Sequence, residues 1–454
     1  MDNTEYNYLH FAKFSNLVNW SVSHLLGMNI GFAHRFPMAT IGSVIERCKT
    51  TIDIDDSTQY KQITLKTNGG GAVLRDVKSG KNIGTKKQYV VSAGQFIMSK
   101  IDARNGAFGV VTEDLDGAIV TADFPVFNVD KEKIIPQYLF LLSTTKAFTR
   151  FAQSCSRGTT NRQRIDIDQF LSQRIPLPSL TEQNRLLSRY QIKVQQADSL
   201  NILSSKIWNE IDFYLQTNLG FSQQEYFQGK SENSFSFLKF VKYKDLDKWG
   251  FDLNQTNHRK NARIFPIKKV KDICLVGSGG TPSRSNQNYY GGNIPWVKTG
   301  EVINEEIFET EEHITQEAVN NSSARMYNKG SLIIAMYGQG ETRGRTAKLG
   351  IDATTNQACA VLFDIDNSII LTDYLWYYMQ CMYYDLRSLA SGNNQPNLNA
   401  EIIKNYNVVI PPIKIQSTIV KHINEQKLQI KQLKRQAETL RKAALIEFEE
   451  EIFE

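Results

Sequence analysis

From Phe36 to Pro178 the apolar residues fall in short runs: KQITLKT (Lys61 to Thr67), KQYVVSAG (Lys87 to Gly94), QFIMSKI (Gln95 to Ile101), FGVV (Phe108 to Val111) and GAIVTADFPVFNV (Gly117 to Val129). Gly, Asn and Asp separate them, and alternating or continuous apolar runs bounded by such residues predict strands and turns. PQYLFLLSTTKAFTRFAQSC (Pro136 to Cys155) instead carries apolar residues at helical spacing and predicts a helix, as does TDYLWYYMQCMYYDLRSLAS (Thr372 to Ser391). After Pro176 and Pro178, and again after Pro411 and Pro412, Gly and Pro vanish for about 30 positions or more and the pattern becomes helical throughout. Each half of the chain is therefore expected to be a β-rich α+β domain with short helices, followed by one long helix.

The long helical stretches carry a seam. Ile419, Ile423, Gln426, Ile430, Leu433, Ala437, Leu440 and Ala444 alternate steps of four and three, the a/d spacing of a coiled coil, with charged and amide residues on the other faces. The earlier stretch has a weaker version, with Leu187, Tyr190, Val194, Ala197, Trp208, Ile211 and Leu215 interrupted at Asn201 and Ser204. Two such stretches at equivalent places are expected to pack on each other, antiparallel, as a coiled coil that spaces the two domains. About 30 helical residues at roughly 1.5 Å each make a rod near 45 Å.

Equivalence of the halves rests on an internal repeat, the first feature to look for in a long chain. Trp20 returns as Trp249 and Phe36-Pro37 as Phe265-Pro266, both at an offset of 229. Gly94 in AGQFIMSK matches Gly330 in KGSLIIAM, and Tyr138-Leu139 matches Tyr374-Leu375, both at 236; Ile175-Pro176 matches Ile410-Pro411 at 235. Five landmarks in one order point to duplication, with the two halves related by an approximate two-fold axis. The expected division is residues 1–178 and 241–412 for the domains, 179–220 and 413–454 for the helices, and a Gln, Ser and Asn-rich linker at 221–240.

Composition narrows the chemistry. The 454 residues carry a net charge of +6, which permits a polyanionic partner without requiring one. Five widely separated cysteines (Cys48, Cys155, Cys274, Cys359 and Cys381) form no CxxC pair, and the six histidines show no ligand spacing, so neither a zinc site nor a disulfide framework is expected. No apolar run approaches a membrane span, and the start MDNTEYNYLHF lacks the basic and apolar regions of a signal peptide, which reads as cytoplasmic. A phosphate loop is missing too: Gly80-Lys81 has Arg75 where a glycine is required and Asn82 where Ser or Thr is.

SKIDARNGAFGVV (Ser99 to Val111), TADFPVF (Thr121 to Phe127), SGGTPSRSNQNYYGGNIPWVKTGEV (Ser278 to Val302) and the two Ile-Pro junctions together resemble the specificity subunit of type I restriction-modification systems, across nearly the whole chain. The resemblance implies two variable target-recognition domains alternating with two conserved helical regions. It also implies a subunit that does no chemistry, and Ile410-Pro411-Pro412-Ile413 indeed lacks the leading Asn and the aromatic of an adenine-methylation motif. Double-stranded DNA, two methyltransferase (modification) subunits and restriction/translocase subunits are the implied partners, with no membrane. S-adenosylmethionine, ATP and Mg are expected on those partners and no cofactor on this chain. A rod near 45 Å spans on the order of 13 base pairs, fitting a split DNA site. Two alternatives are a recognition chain of another restriction-modification type and a coiled-coil scaffold without DNA preference.

Six loops combine Gly with Arg, Lys, Asn, Gln, Ser and Thr, which suit phosphates and base edges. In the first half they hold Lys81, Lys86 and Lys87; Lys100, Arg104 and Asn105; and Arg157, Thr159, Thr160, Asn161, Arg162, Gln163 and Arg164. In the second half they hold Thr281, Ser283, Arg284, Ser285 and Asn286, with Lys298 nearby; Gln339, Thr342, Arg343 and Arg345; and Asn393, Asn394, Gln395 and Asn397. SRGTTNRQR (Ser156 to Arg164) and SGNNQPNLN (Ser391 to Asn399) sit at equivalent places but differ in composition, so the two half-sites are expected to differ.

Overall fold

The computed structural model describes residues 36–157, 164–220, 264–338, 340–390 and 397–453. Trp20, Trp249 and the linker at 221–240 lie outside the described residues. The chain divides into two units, one of residues 1–201 with 435–454 and one of residues 202–434.

In the first unit, β1 (Met38–Thr40), β2 (Ile45–Cys48), β3 (Phe96–Met98), β4 (Phe108–Val110), β5 (Val126–Val129) and β6 (Arg174–Pro176) form a skeleton with α1 (Pro136–Thr144), α2 (Lys146–Ser154), α3 (Ile167–Leu171) and the start of α4 (Leu180–Asn218). In the second, β7 (Ile267–Lys269), β8 (Leu275–Ser278), β9 (Leu332–Ala335), β10 (Thr346–Leu349), β11 (Cys359–Phe363) and β12 (Asn407–Val409) recur with α5 (Thr372–Cys381), α6 (Tyr383–Ser388), α7 (Ala400–Lys404) and the start of α8 (Ile413–Phe453). Strand order is the same in both: β2-β5-β3-β4, and β8-β11-β9-β10 with Glu306–Ile307 added at the edge. All the skeleton pairings are antiparallel. Duplication is thus a property of the fold.

Outside that skeleton the halves differ. The first unit adds a five-stranded sheet in the order Thr51–Asp53, Lys87–Val90, Ile119–Val120, Gln59–Lys66, Gly71–Ser79, whereas the second adds three strands in the order Glu312–Ile314, Tyr290–Val297, Thr354–Thr355. The helix expected over residues 136–155 is two helices, because Thr145 leaves the helical region and its side-chain oxygen accepts from Phe148 N at 3.3 Å, capping α2. Its counterpart breaks at Met382.

The repeated dipeptides meet. Leu177 N donates to Pro37 O at 2.7 Å and Ile410 N to Pro266 O at 2.8 Å, so each Phe-Pro lies against its own Ile-Pro junction, beside the β1-β6 and β7-β12 pairs. One residue in each half then fixes the long helix. Gln183 is fully buried; its Oε1 accepts from Ile135 N at 2.8 Å, and its Nε2 donates to Lys133 O and Pro178 O, both at 2.9 Å. Gln416 is equally buried and repeats the pattern with Leu371 N (2.8 Å), Ile369 O (3.0 Å) and Pro411 O (2.7 Å). Ile135 and Leu371 are the N-cap residues of α1 and α5, so each glutamine side chain supplies an acceptor that neither cap residue's own side chain does.

Within the first unit, the start of α4 runs antiparallel to the end of α8. Arg185 and Arg189 pair with Glu451, Lys193 with Glu447, and Asp198 with Arg441, over buried Leu187, Ala197, Ala437 and Ala444. Phe448 and Ile452 extend this buried face beyond Ala444. Within the second unit the sense is again antiparallel: Tyr214 lies on His422 with ring centroids 4.0 Å apart, and Lys427 lies 5.7 Å from the Trp208 ring centre. Ile211, Leu215, Ile419, Ile423 and Ile430 are buried there; Ser204, which interrupts the apolar seam, is buried as well, small enough to be accommodated. Tyr190, Val194, Trp208, Leu433 and Leu440 are partly covered. At 39 and 41 residues, α4 and α8 exceed the expected 30.

Truncating Gln183 or Gln416 leaves one buried donor and two buried carbonyls unsatisfied, at a cost of about 3 kcal/mol. Q183A and Q416A should therefore each lower the thermal midpoint of unfolding, followed by circular dichroism, while E438Q at an exposed α8 pair leaves it within a degree or so.

Candidate nucleic-acid interface

The hairpin between β3 and β4 carries Lys100, Arg104 and Asn105; that between β9 and β10 carries Thr342, Arg343 and Arg345. Each is built on a buried apolar base. Phe96 and Phe108 stack at 6.0 Å with Phe148 and Phe170 against Phe108, and Leu332, Ile334 and Met336 join the core around Tyr374. At the tips the backbone turns through left-handed glycines, Gly106 (φ 75°) and Gly344 (φ 87°).

In both halves one backbone hydrogen bond joins this hairpin to the loop ahead of the Ile-Pro junction. Ile165 N donates to Lys100 O at 2.9 Å, and Leu398 N donates to Met336 O at 3.1 Å. The Lys100 to Asn105 loop therefore lies beside the two described ends of SRGTTNRQR, where Arg157 pairs through its backbone with Arg164. Arg164, whose side chain is 59% exposed, also pairs with Asp123 at 3.1 Å, and Lys100 N donates to Asp123 O. Thr159, Thr160, Asn161, Arg162, Gln163, Gln339, Asn393, Asn394 and Gln395 lie outside the described residues, as does the side chain of Arg157. Asn397, half-buried, is the described end of the second loop.

The other two predicted loops belong to the added sheets. Lys81, Lys86 and Lys87 are exposed, but Lys81 N donates to Asp56 O, and Lys86 pairs with Asp56 and donates to Gly80 O at 2.8 Å. In their place, the turn between Gln59–Lys66 and Gly71–Ser79 reaches the hairpin, with Asn68 N donating to Asn105 O at 2.8 Å and Gly69 N to Gly106 O at 3.1 Å. Asn68 (φ 56°) and Gly69 (φ 72°) make an Asn-Gly hairpin turn whose signal was in the sequence, without its position relative to Arg104.

Thr281 to Asn286 is held just as firmly. Cβ atoms at Gly279 or Gly280 would fall 2.0 Å from Thr355 O and 2.2 Å from Ala324 N, so SGGTPS needs its glycines for close backbone packing. Trp296 Nε1 donates to Gly280 O and Tyr290 OH to Pro282 O. Ser283 and Ser285 share a hydroxyl bond, and Asn286 caps Asn288 N. Arg284 lies 4.3 Å from the Tyr290 ring centre and pairs with Glu312 at 2.8 Å; Lys298 pairs with Glu311 and Glu312 at 2.8 and 3.0 Å. Hydrogen bonds from Arg284 and Lys298 hold the Glu312 carboxyl below the usual range. Among the described residues no three His, Cys, Asp or Glu side chains come together as a metal site, and no helix is long and apolar enough to cross a membrane.

Two α+β domains on one skeleton, each with a glycine-turned hairpin that carries basic residues, define a duplicated protein. The model of the type I restriction modification DNA specificity domain matches residues 38–211 and 265–440, and the chain belongs to that family. It is 29% identical over 203 residues to the MjaIX specificity subunit of Methanocaldococcus jannaschii, an alignment spanning 44% of this chain and only 46% of that relative. To the HindI specificity subunit of Haemophilus influenzae it is 22% identical over 382 residues, 74% of this chain and 81% of the relative. A chain from a solved type I R-M system shares the fold, with a TM-score of 0.51, 19% identity and coverage of 92% and 99%.

Glu312 gives a pH prediction. Its folded pKa is depressed, so the stability it contributes is complete above the unfolded carboxylate value near ~4 and is lost as pH falls through the lower folded value. R284A should lower the midpoint of thermal unfolding at pH 7, and that difference from the unaltered chain should shrink below about pH 4 as Glu312 protonates in both.

Proposed function

We propose that the chain is the DNA-reading subunit of a type I restriction-modification complex, each domain recognising one half of a bipartite site. The observation that carries this reading is that in both halves one backbone hydrogen bond ties the hairpin to the segment just before the Ile-Pro junction, while the residues on the two hairpins differ. Family membership over both halves supports it. Gly-turned loops bearing Arg, Lys and Asn suit phosphate contacts that fix register and base-edge contacts that select sequence.

The chain itself carries no chemistry in this proposal. Methyltransferase subunits, two of them, dock on the helical regions and restriction/translocase subunits join them, in the cytoplasm. S-adenosylmethionine, ATP and Mg belong to those partners. Affinity is phosphate-driven and falls with salt, with base contacts supplying discrimination.

Selection from a randomised duplex library at fixed moderate salt tests this. The expected product is two short blocks separated by a constant unspecified gap. Removing seven residues from each of α4 and α8 takes out roughly 10 Å of helix and should shorten that gap by about three base pairs. No enriched sequence at any salt would leave a coiled-coil scaffold as the better reading.

A further inference from the structure

Each hairpin is gripped by one side chain of the second short helix, close to the hairpin's left-handed glycine in both halves. In the first unit, Gln153 of α2 donates from Nε2 to the backbone carbonyl of Arg104 at 3.1 Å. In the second, Arg387 of α6 donates from Nη1 to the backbone carbonyl of Arg343 at 2.8 Å. Arg104 stands two residues before its left-handed glycine, Gly106, and Arg343 one residue before Gly344. In both cases the carbonyl held belongs to the arginine at the hairpin tip.

The second grip is the more elaborate. Arg387 Nη1 also donates to Tyr383 OH at 3.0 Å, Tyr383 OH donates to Glu341 O at 2.7 Å, and Arg345 pairs with Glu341. A Cβ on Gly344 would fall 3.1 Å from Arg387 Cγ, so the helix and the hairpin backbone are in close contact. Burial, and after it the charge of Arg387, push the Arg343 pKa down. The first hairpin uses a neutral amide in Arg387's place and gains a second support from the Asn68-Gly69 turn.

We infer that Gln153 and Arg387 are positioning residues for specificity: by fixing the backbone of the hairpin that carries Arg104 or Arg343, each sets how stringently its own domain reads its half-site, without itself touching DNA. This rests on the DNA-reading function proposed above. A bidentate arginine contact to guanine needs the side chain held in one direction, and a tip whose carbonyl is released samples several. The two grips belong to separate domains, so loss of one should relax one half-site alone.

The full-length chain and its Q153A, R387A and Y383F variants would be put through selection from randomised duplexes. Affinities for the selected duplex, and for duplexes altered in one block or the other, would follow at several salt concentrations, alongside thermal midpoints. R387A should reduce discrimination at one block about tenfold or more and leave the other within about twofold; Q153A should do the reverse. Y383F, which removes a hydroxyl and two hydrogen bonds, should relax the same block as R387A to a smaller degree. Salt slopes should not change, since neither grip contacts phosphate.

Several results would overturn the inference. Unchanged preference in R387A and Q153A is one, and equal relaxation of both blocks by a single variant is another. A uniform loss of affinity with the salt slope reduced by about one would make Arg387 a phosphate contact instead. Should R387A fail to fold, unchanged base preference in Y383F would decide against the proposal. Absence of any enriched block with the unaltered chain overturns the DNA reading and this inference together; two blocks that survive every variant overturn only the inference.

Discussion

A fully buried amide near the start of each long helix holds three backbone groups that would otherwise be orphaned. Gln183 and Gln416 each take one N–H from the N-cap of the preceding helix and give two hydrogens to carbonyls, one at the end of the strand-to-helix turn and one at the start of the short helix. Such a site tolerates neither an apolar residue nor a charged one. An apolar side chain leaves the backbone groups unpaired, and a carboxylate cannot donate to the two carbonyls. The angle at which each long helix leaves its domain is fixed by this contact, together with the Phe-Pro and Ile-Pro segments that pack beside it. Tyr138 and Tyr374 secure the same junction by donating to Pro176 O and Val409 O.

From that junction the skeleton runs to the recognition hairpins without a free joint. β3 and β4 stand on the cluster of Phe96, Phe108, Phe148 and Phe170; β9 stands on the core around Tyr374 and Leu332, and β10 buries Ala347 and Leu349 in the cluster with Val361. The backbone bonds from Ile165 and Leu398 then tie the segment ahead of each Ile-Pro junction to its hairpin. The shared parts are therefore those that determine where the loops are, and the halves diverge in the added sheets and loop side chains that determine what the loops present. Duplicated recognition works only if these can change independently.

The order of elements, the duplication and the two helical regions were legible because each rests on local signals: period-two runs, proline junctions and a four-three seam. Gln183 and Gln416 stood within the repeated junctions, but nothing local marks a glutamine as buried. Less of the interface could be read. Lys298 and Arg284 are conspicuous cations in a glycine-rich segment, yet Glu311 and Glu312 neutralise them across strands, a pairing that sequence separation hides. Lys86 meets Asp56 in the same way. Conversely, Asn68, Gln153 and Arg387 act on the hairpins only through tertiary contact, and no periodicity singles them out. Charge type is local information, whereas whether a charge is already paired is not.

The two hairpins also show how the halves of a duplicated protein differ on one skeleton. Replacing a neutral amide by a guanidinium at the gripping position keeps the backbone bond to the tip carbonyl while adding a positive charge beside the tip arginine. The first hairpin has the neutral Gln153 there and is also braced by the Asn68-Gly69 turn. A bond to the tip carbonyl is thus made in both halves, by an amide in one and a guanidinium in the other. That one side chain differs between the halves while the skeleton, the helix junction and the bond to the tip carbonyl are kept.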